Sequence, residues 1–288
     1  MIRSIVCDGQ EIEFKKIEFS DGSSNFKLLV EPSFSVDRYY SIAVDPSTPG
    51  DAVLWEVLLA ADALGEFIST DTKRYLVLGY LPHARADRRF EVGNAHPLGV
   101  FTQAIKGVFD EVFLTDAHSS YFENNIGCSV EEFKQWECFL AAGVTACSGD
   151  VLIAPDKGAR KKIVELQQHL DNKTIATFIV EASKKRDKET GRIVETTLSD
   201  NCDVKGKRCI IVDDLSDRNG TFVPLAAKLK EAGAAQVDLY VTHLIAAAGL
   251  SNLYGVVDKI YCYQIVGNYI TREDVRNFNA GYEPRKFD

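Results

Sequence analysis

Apolar and polar positions alternate through roughly the first 35 residues, where "QEIEFKKIEF" and "NFKLLVEP" predict two antiparallel strands. The "SDGSS" between them is a hairpin turn. The pattern then changes to short apolar runs separated by longer amphipathic ones. "YYSIAVDP", "RYLVLGYLP" and "DEVFLTDAHSS" read as strands, and "GDAVLWEVLLAADALGEF", "PLGVFTQAIKGVF" and "VEEFKQWECFLAAG" as helices. The alternation restarts with strands in "DVLIAPD", "TIATFIVEAS", "KRCIIVDD", "QVDLYVTH" and "DKIYCYQIV" and helices in "ARKKIVELQQHL" and "GTFVPLAAKLKEAG". Apolar strands alternating with helices predict parallel α/β sheets covered on both faces. The strands suffice for two sheets, with a boundary near Gly143–Gly149 that divides the chain into 1–145 and 146–288. No low-complexity linker separates the halves, so they are expected to pack tightly.

Composition narrows the functional classes. Of 288 residues 45% are hydrophobic, enough for a core, and the formal net charge is −9. That charge argues against nucleic acid or an anionic membrane as partner, while leaving room for a small basic pocket. No apolar run approaches the ~18 residues of a membrane span. "MIRSIVCDGQEIEF" lacks the basic-then-apolar order of a secretory leader, so a cytoplasmic location is expected. Seven cysteines without a CxxC predict reduced thiols rather than a disulfide framework or a zinc site.

Ligands of open α/β sheets bind beyond the carboxyl ends of the strands, which singles out four segments, and a basic loop adds a fifth. In "VDDLSDRNGT" an apolar strand ends in Asp213 and Asp214 and a polar turn leads into a helix. Phe222, Leu225, Ala226 and Leu229 would face the sheet, and Pro224 is tolerated in the first turn. Free backbone N–H groups near Gly220 and Thr221 suit a phosphate. The two carboxylates could accept hydrogen bonds from sugar hydroxyls or hold Mg²⁺; alternatively they only solvate a strand end. "HARADRR" clusters Arg85, Arg88 and Arg89 around Asp87, and arginine forks suit polyphosphate; the competing reading is a surface charge run. "TDAHSS" places Asp116 and His118 two apart on one strand face, where His118 could ligate a metal or donate to a phosphate. "APDKGA" supplies Asp156, with Gly158 permitting close approach. In "EASKKRDKETGRIVET", Lys184, Lys185 and Arg186 leave a buried strand and enter a polar, mobile loop. Such cations suit closure over transferring phosphoryl groups; otherwise the loop is a solvated hairpin tip. Together the signals describe a nucleotide triphosphate, a metal and a sugar phosphate converging between two α/β halves.

The order of these motifs resembles that of ribose-phosphate diphosphokinases (phosphoribosyl pyrophosphate synthetases) along nearly the whole chain. "FSDGSS" resembles that family's FSDGE, "HARADR" its YARQDR, "LTDAHSSYF" its DLH segment, "APDKGA" its SPDxG, "SKKRD" its catalytic loop and "VDDLSDRNGT" its VDDxxDTxGT loop. The length and the catalytic-loop segment are closer to compact phage and bacterial variants. The resemblance implies two tandem type I phosphoribosyltransferase-like domains related by pseudo-twofold symmetry, the first on the ATP side and the second on the sugar-phosphate side. It implies transfer of the β,γ-diphosphate of Mg-ATP to the anomeric hydroxyl of ribose 5-phosphate, with release of AMP. By position, Lys184, Arg186 and His118 would be catalytic, and Phe19, Asp21, Arg85, Asp87, Arg88 and His118 would contact ATP. Asp156, Asp213, Asp214, Asp217, Arg218, Asn219, Gly220 and Thr221 would hold the sugar phosphate, and His118 and Asp156 the Mg²⁺. Phe19 and Asp21 would form an adenine pocket completed by a neighbouring subunit, which implies a homodimer or larger even assembly.

Several positions depart from the pattern. Ala86 stands for a Gln, Ser23 for a Glu, Arg218 and Asn219 for small residues, and "THLIAAAG" departs from THxxxSxG. Small residues let backbone N–H groups close on a phosphomonoester. Arg218 adds a long cation suited to an extended phosphate, so ADP-ribose, in an NAD-salvage setting, stands beside ribose 5-phosphate as acceptor. A non-catalytic synthetase-associated protein is the alternative from another class; the presence of Lys184, Arg186, His118 and the three aspartates opposes it.

Overall fold

The computed structural model describes residues 1–48, 50–175, 177–186, 193–199 and 202–281, with backbone only at 184–186 and 193–195. The expected mobile loop "DKETGR" lies outside the described residues. The chain divides into two compact units, Met1–Phe133 and Lys134–Asp288.

The first unit opens with β1 (Ile2–Cys7) and β2 (Gln10–Glu11), then a hairpin of β3 (Phe14–Glu18) and β4 (Ser24–Leu28). That hairpin has the expected antiparallel pairing, closing at Glu18 opposite Ser24. The α/β alternation follows: β5 (Tyr39–Val44), α1 (Gly50–Gly65), β6 (Lys73–Leu78), α2 (Pro97–Ile105), β7 (Glu111–Thr115), α3 (Tyr121–Ile126) and β8 (Ser129–Phe133). The sheet order is β2-β1-β5-β6-β7-β8, with β5 to β8 parallel. Ile5, Ile42, Leu76, Leu78 and Val112 are fully buried in it.

The predicted helix "VEEFKQWECFLAAG" is two elements. Ser129–Phe133 is β8, and α4 covers only Gln135–Ala141. Lys134 has an extended ψ of 161° that breaks any continuous helix, and its N–H donates to Glu137 Oε2 at 2.8 Å, which starts the new one. α4 belongs to the second unit: Phe139 meets Tyr240 with ring centroids 4.9 Å apart, and Trp136 stacks on His169 at 3.6 Å. The units thus part at Phe133 and Lys134, ahead of the expected boundary near Gly143–Gly149.

The second unit continues with β9 (Val151–Ala154), α5 (Lys157–Asp171), β10 (Phe178–Arg186), β11 (Ile193–Leu198), β12 (Arg208–Ser216), α6 (Phe222–Glu231) and β13 (Gln236–Leu244). A 3₁₀ turn (Ser251–Leu253), β14 (Lys259–Ile265) and α7 (Arg272–Asn279) complete it. The sheet order is β11-β10-β9-β12-β13-β14; β10, β9, β12, β13 and β14 run parallel and β11 is antiparallel. Val151–Ala154 and Cys209–Val212 are buried on both faces, as a covered parallel sheet requires.

Register in this sheet is pinned at the edge where the strands begin. Arg208 binds Asp238 through Nε at 2.8 Å and Nη2 at 2.7 Å, and Asp150 and the Thr145 carbonyl through Nη1 at 3.1 and 2.6 Å. Asp238 is wholly buried and Asp150 nearly so. This clamp joins β12, β13 and the approach to β9, and so sets how far each strand projects at the opposite edge. Because an unpaired buried carboxylate is far costlier than none, Arg208→Met should destabilise the fold by about 3–5 kcal/mol. Adding Asp238→Leu should restore most of the loss, measured by denaturant melts.

Candidate active site

One length mismatch organises the second unit. β9 has four residues and lies between β10 and β12, which have nine each. Pairing of β9 stops at Glu181 on one side and at Ile211 on the other. Beyond Ala154, therefore, the sheet has an open notch flanked by 182–186 of β10 and 212–216 of β12. The three chemically loaded segments of this half reach it: Asp156 follows β9, Lys184–Arg186 end β10, and Asp213–Thr221 run from β12 to α6.

Asp156 caps α5, with Oδ1 accepting the Ala159 N–H at 3.1 Å. A Cβ at Gly158 would lie 3.1 Å from that same oxygen, so the glycine makes room for the cap. At the point where β10 leaves β9, Arg160 Nε faces Glu181 Oε2 at 3.7 Å. Lys184, Lys185 and Arg186 are not loop residues: their backbone lies in β10 and pairs with Thr196, Glu195 and Ile193 of β11. Their side chains lie outside what is described.

Asp213 and Asp214 are inside β12 rather than at its end, since pairing with β13 continues to Ser216. Strand alternation sends their side chains to opposite faces of the sheet. Asp213 is half-buried and accepts the Asp214 N–H at 3.0 Å, while Asp214 is 9% exposed. A ligand lying in the notch, in the plane of the sheet, would meet one carboxylate from each side.

The turn after β12 is laced to the loop after β13. The N–H groups of Ile245 and Ala247 donate to the carbonyls of Ser216 and Asp217, both at 2.8 Å. Asn219, at φ 60° and 1% exposed, accepts the Ser216 hydroxyl at 2.6 Å and donates to the Gly249 carbonyl at 3.0 Å and Asn252 Oδ1 at 2.8 Å. Its side chain is therefore turned into the protein, unlike the exposed Arg218 and Gly220. The predicted apolar face of α6 is present, with Phe222, Leu225, Ala226 and Leu229 buried. The N–H groups of Gly220 and Thr221 have no acceptor among the described residues.

In the first unit, the arginine segment follows β6 and the "TDAHSS" segment follows its neighbour β7, so both lie at one sheet edge. Arg85, Arg88 and Arg89 are exposed, with Arg88 over the Phe90 ring at 5.4 Å and Arg89 bonded to the Asn94 carbonyl; Asp87 is half-buried. His83 Nε2 faces Asp51 Oδ1 of α1 at 3.4 Å. Asp116 and His118 do not share a strand face, because β7 ends at Thr115. Asp116 turns at φ 40° and is 1% exposed, whereas His118 is exposed. Glu132 of β8 fixes this turn by accepting the Ala117 N–H at 2.7 Å. It was missed because its segment has a helix-like pattern.

Phe19 is 51% exposed at the β3–β4 hairpin tip. Beside it, the Ser23 hydroxyl and N–H bond Asp21 at 2.6 and 2.9 Å and hold its carboxyl below the usual range. Ser23, a departure from the expected Glu, thus ties the tip to itself. All seven cysteines are free, and burial pushes Cys209 up to about 12 and Cys7 up to about 11.

Among the described residues, six non-glycine residues have left-handed φ, and four of them follow parallel strands: His83, Asp116, Asn219 and Ala246. Strain of this kind collects where a ligand site over-determines the backbone.

Residues 144–272 match the phosphoribosyl transferase domain family. The chain is 27% identical over 264 residues to a ribose-phosphate pyrophosphokinase of Pyrococcus furiosus, covering 86% of this chain and 84% of that protein. It is 28% identical over 232 residues to one of Xanthomonas campestris, covering 78% and 68%. The fold matches the crystal structure of phosphoribosylpyrophosphate synthetase from Mycobacterium smegmatis, with a TM-score of 0.66, 20% identity, and coverage of 88% of this chain and 80% of that one. The chain thus resembles ribose-phosphate pyrophosphokinases along most of its length and carries a phosphoribosyl transferase domain in its second half. Like these relatives, it is a transferase.

The similarity gives the notch a test of metal fit. No group of three or more His, Cys, Asp or Glu side chains is placed to hold an ion among the described residues. One oxygen of Asp156 is already engaged by Ala159. Such a donor set fits Mg²⁺ held by one or two carboxylates, water and substrate phosphates, rather than an all-protein cage. No helix of the described residues is long and apolar enough to cross a membrane.

Gly220 has no positive φ, and an added Cβ would meet nothing within 4 Å. The fold does not need a glycine there, but a ligand on its N–H would. Gly220→Ala should change stability by about 0.5 kcal/mol or less. If the turn holds a phosphate, the substitution should weaken phosphate binding by roughly 3- to 10-fold through one disturbed charge-assisted hydrogen bond, with melting and calorimetry read on the same sample.

Proposed function

We propose that the chain transfers the β,γ-diphosphate of Mg-ATP to the anomeric C1 hydroxyl of a ribose 5-phosphate moiety and releases AMP. The observation that carries this reading is the notch beyond β9, where Asp156, the end of β10 and the Asp213–Thr221 segment meet. In this step the C1 oxygen bonds to the β-phosphorus, the bond from that phosphorus to its α-bridging oxygen breaks, and AMP leaves with the bridging oxygen. The hydroxyl proton is lost to solvent or to a phosphate oxygen. Little covalent chemistry falls to the protein, whose work is positioning and charge stabilisation.

Asp213 and Asp214 would accept the ribose hydroxyls from the two sides of the sheet plane. The N–H groups of Asn219, Gly220 and Thr221 would hold the 5′-phosphate, with Asp217 shaping the turn. Lys184 and Arg186 would stabilise charge on the transferring group. Arg85, Arg88, Asp87 and His118 would contact ATP, and Phe19 and Asp21 its adenine. Asp156 and His118 would serve Mg²⁺, which when bound neutralises phosphate charge. On this reading Lys184→Ala and Arg186→Ala each lower kcat by about 10²–10³.

Two acceptors suit the site. Ribose 5-phosphate is supported by the relatives' names. ADP-ribose, which would give ADP-ribose 1-diphosphate, is supported by the exposed Arg218 on the phosphate turn, where a second phosphate would find a cation. AMP release from ATP with each acceptor decides between them. If ADP-ribose is used, Arg218→Thr should lower its kcat/KM about tenfold, the scale of one charged hydrogen bond, and leave ribose 5-phosphate little changed. Fast turnover of ribose 5-phosphate with none of ADP-ribose removes the second acceptor; no AMP with either contradicts the proposed reaction.

A further inference from the structure

The phosphate turn is held from outside its own segment. Asn219 spends its whole amide internally, accepting from Ser216 and donating to Gly249 and Asn252. Asn252, on the 3₁₀ turn after β13, returns a bond of its own: its Nδ2 donates to the Arg218 carbonyl at 3.3 Å. Between them the two amides grip both ends of the Arg218–Asn219 peptide.

That grip has a directional consequence. A trans peptide is planar, with its N–H opposite its carbonyl. With the Arg218 carbonyl drawn toward Asn252, the Asn219 N–H must point the other way. The Asn219 carbonyl accepts the N–H groups of Phe222 and Val223, both at 3.0 Å, so the Gly220 N–H points away from α6. Asn219, Gly220 and Thr221 thus offer successive N–H groups that meet no acceptor among the described residues. Successive N–H groups around a left-handed residue form an anion-binding concavity. At φ 60° that conformation is unfavourable for a side-chain-bearing residue, and the Asn219 bonds hold it.

We propose that Asn252 is a positioning residue for the acceptor's phosphate. Through Asn219 and the Arg218 carbonyl it holds the turn in its phosphate-ready shape before the ligand arrives, so that binding does not have to order the loop. The inference rests on the reading of this turn as the sugar-phosphate site. Asn252 is itself exposed, so its role is separable from core packing.

The test is an amide NMR titration of the full chain with ribose 5-phosphate, comparing the parent with Asn252→Leu and with Asn252→Ala should the first not fold. The parent should show shifts of the Asn219, Gly220 and Thr221 resonances. In the variant the midpoint should rise at least tenfold, with an unchanged melting temperature. If the parent resonances do not move, the reading of the turn fails, and the role of Asn252 with it. If they move and the variant's midpoint stays within twofold, or shifts only together with a lowered melting temperature, the positioning role alone is overturned.

Discussion

The chemistry of the second unit depends on one strand being too short. β9 stops at Ala154 while β10 and β12 continue, and a parallel sheet interrupted in this way leaves a gap between the two longer strands. The gap also accounts for the order of motifs along the chain. On the proposed function, Asp156 follows the short strand, basic residues end one neighbour, and carboxylates sit late in the other. The depth of the gap is fixed at the far edge, where Arg208 ties β12 to Asp238 and Asp150 and so sets the register.

Rigidity at the two ends of this sheet is achieved by different means. At the far edge, buried charge is matched by buried charge in a closed cluster. At the notch edge, neutral groups do the work: the Ser216 hydroxyl, the Asn219 and Asn252 amides and the Gly249 carbonyl form a network without formal charge. A phosphate brings its own negative charge, so a neutral scaffold behind the turn leaves the backbone N–H groups and the nearby cations to respond to it. Arg218 is then the one charged side chain the turn sends outward, and it is the residue on which the choice of acceptor is proposed to rest.

Much of this was legible in the sequence. The strand–turn–helix of "CIIVDDLSDRNGTFVPLAAKLKEAGA" showed itself through an apolar run, a polar turn and helical spacing at Phe222, Leu225, Ala226 and Leu229. What escaped was set by neighbours rather than by local pattern. β8 was read as helix because "VEEF" runs directly into an amphipathic segment, and only pairing with β7 makes it a strand. Asp213 and Asp214 look like a pair in one dimension, but the continued pairing of β12 with β13 puts a sheet between them. The Asn219 side chain is held in a buried hydrogen-bond network that no local pattern announces. Asn252 carried no signal, since its partner lies 33 residues away.

The proposed reaction is defined by the group that moves, so the most direct measurement identifies that group. Phosphorus NMR of the chain with ATP, Mg²⁺ and ribose 5-phosphate should show AMP and a C1 diphosphate appearing in equal amounts, with the β and γ phosphorus atoms transferred together. Appearance of ADP with a monophosphorylated C1, or of ADP and orthophosphate alone, would contradict the account.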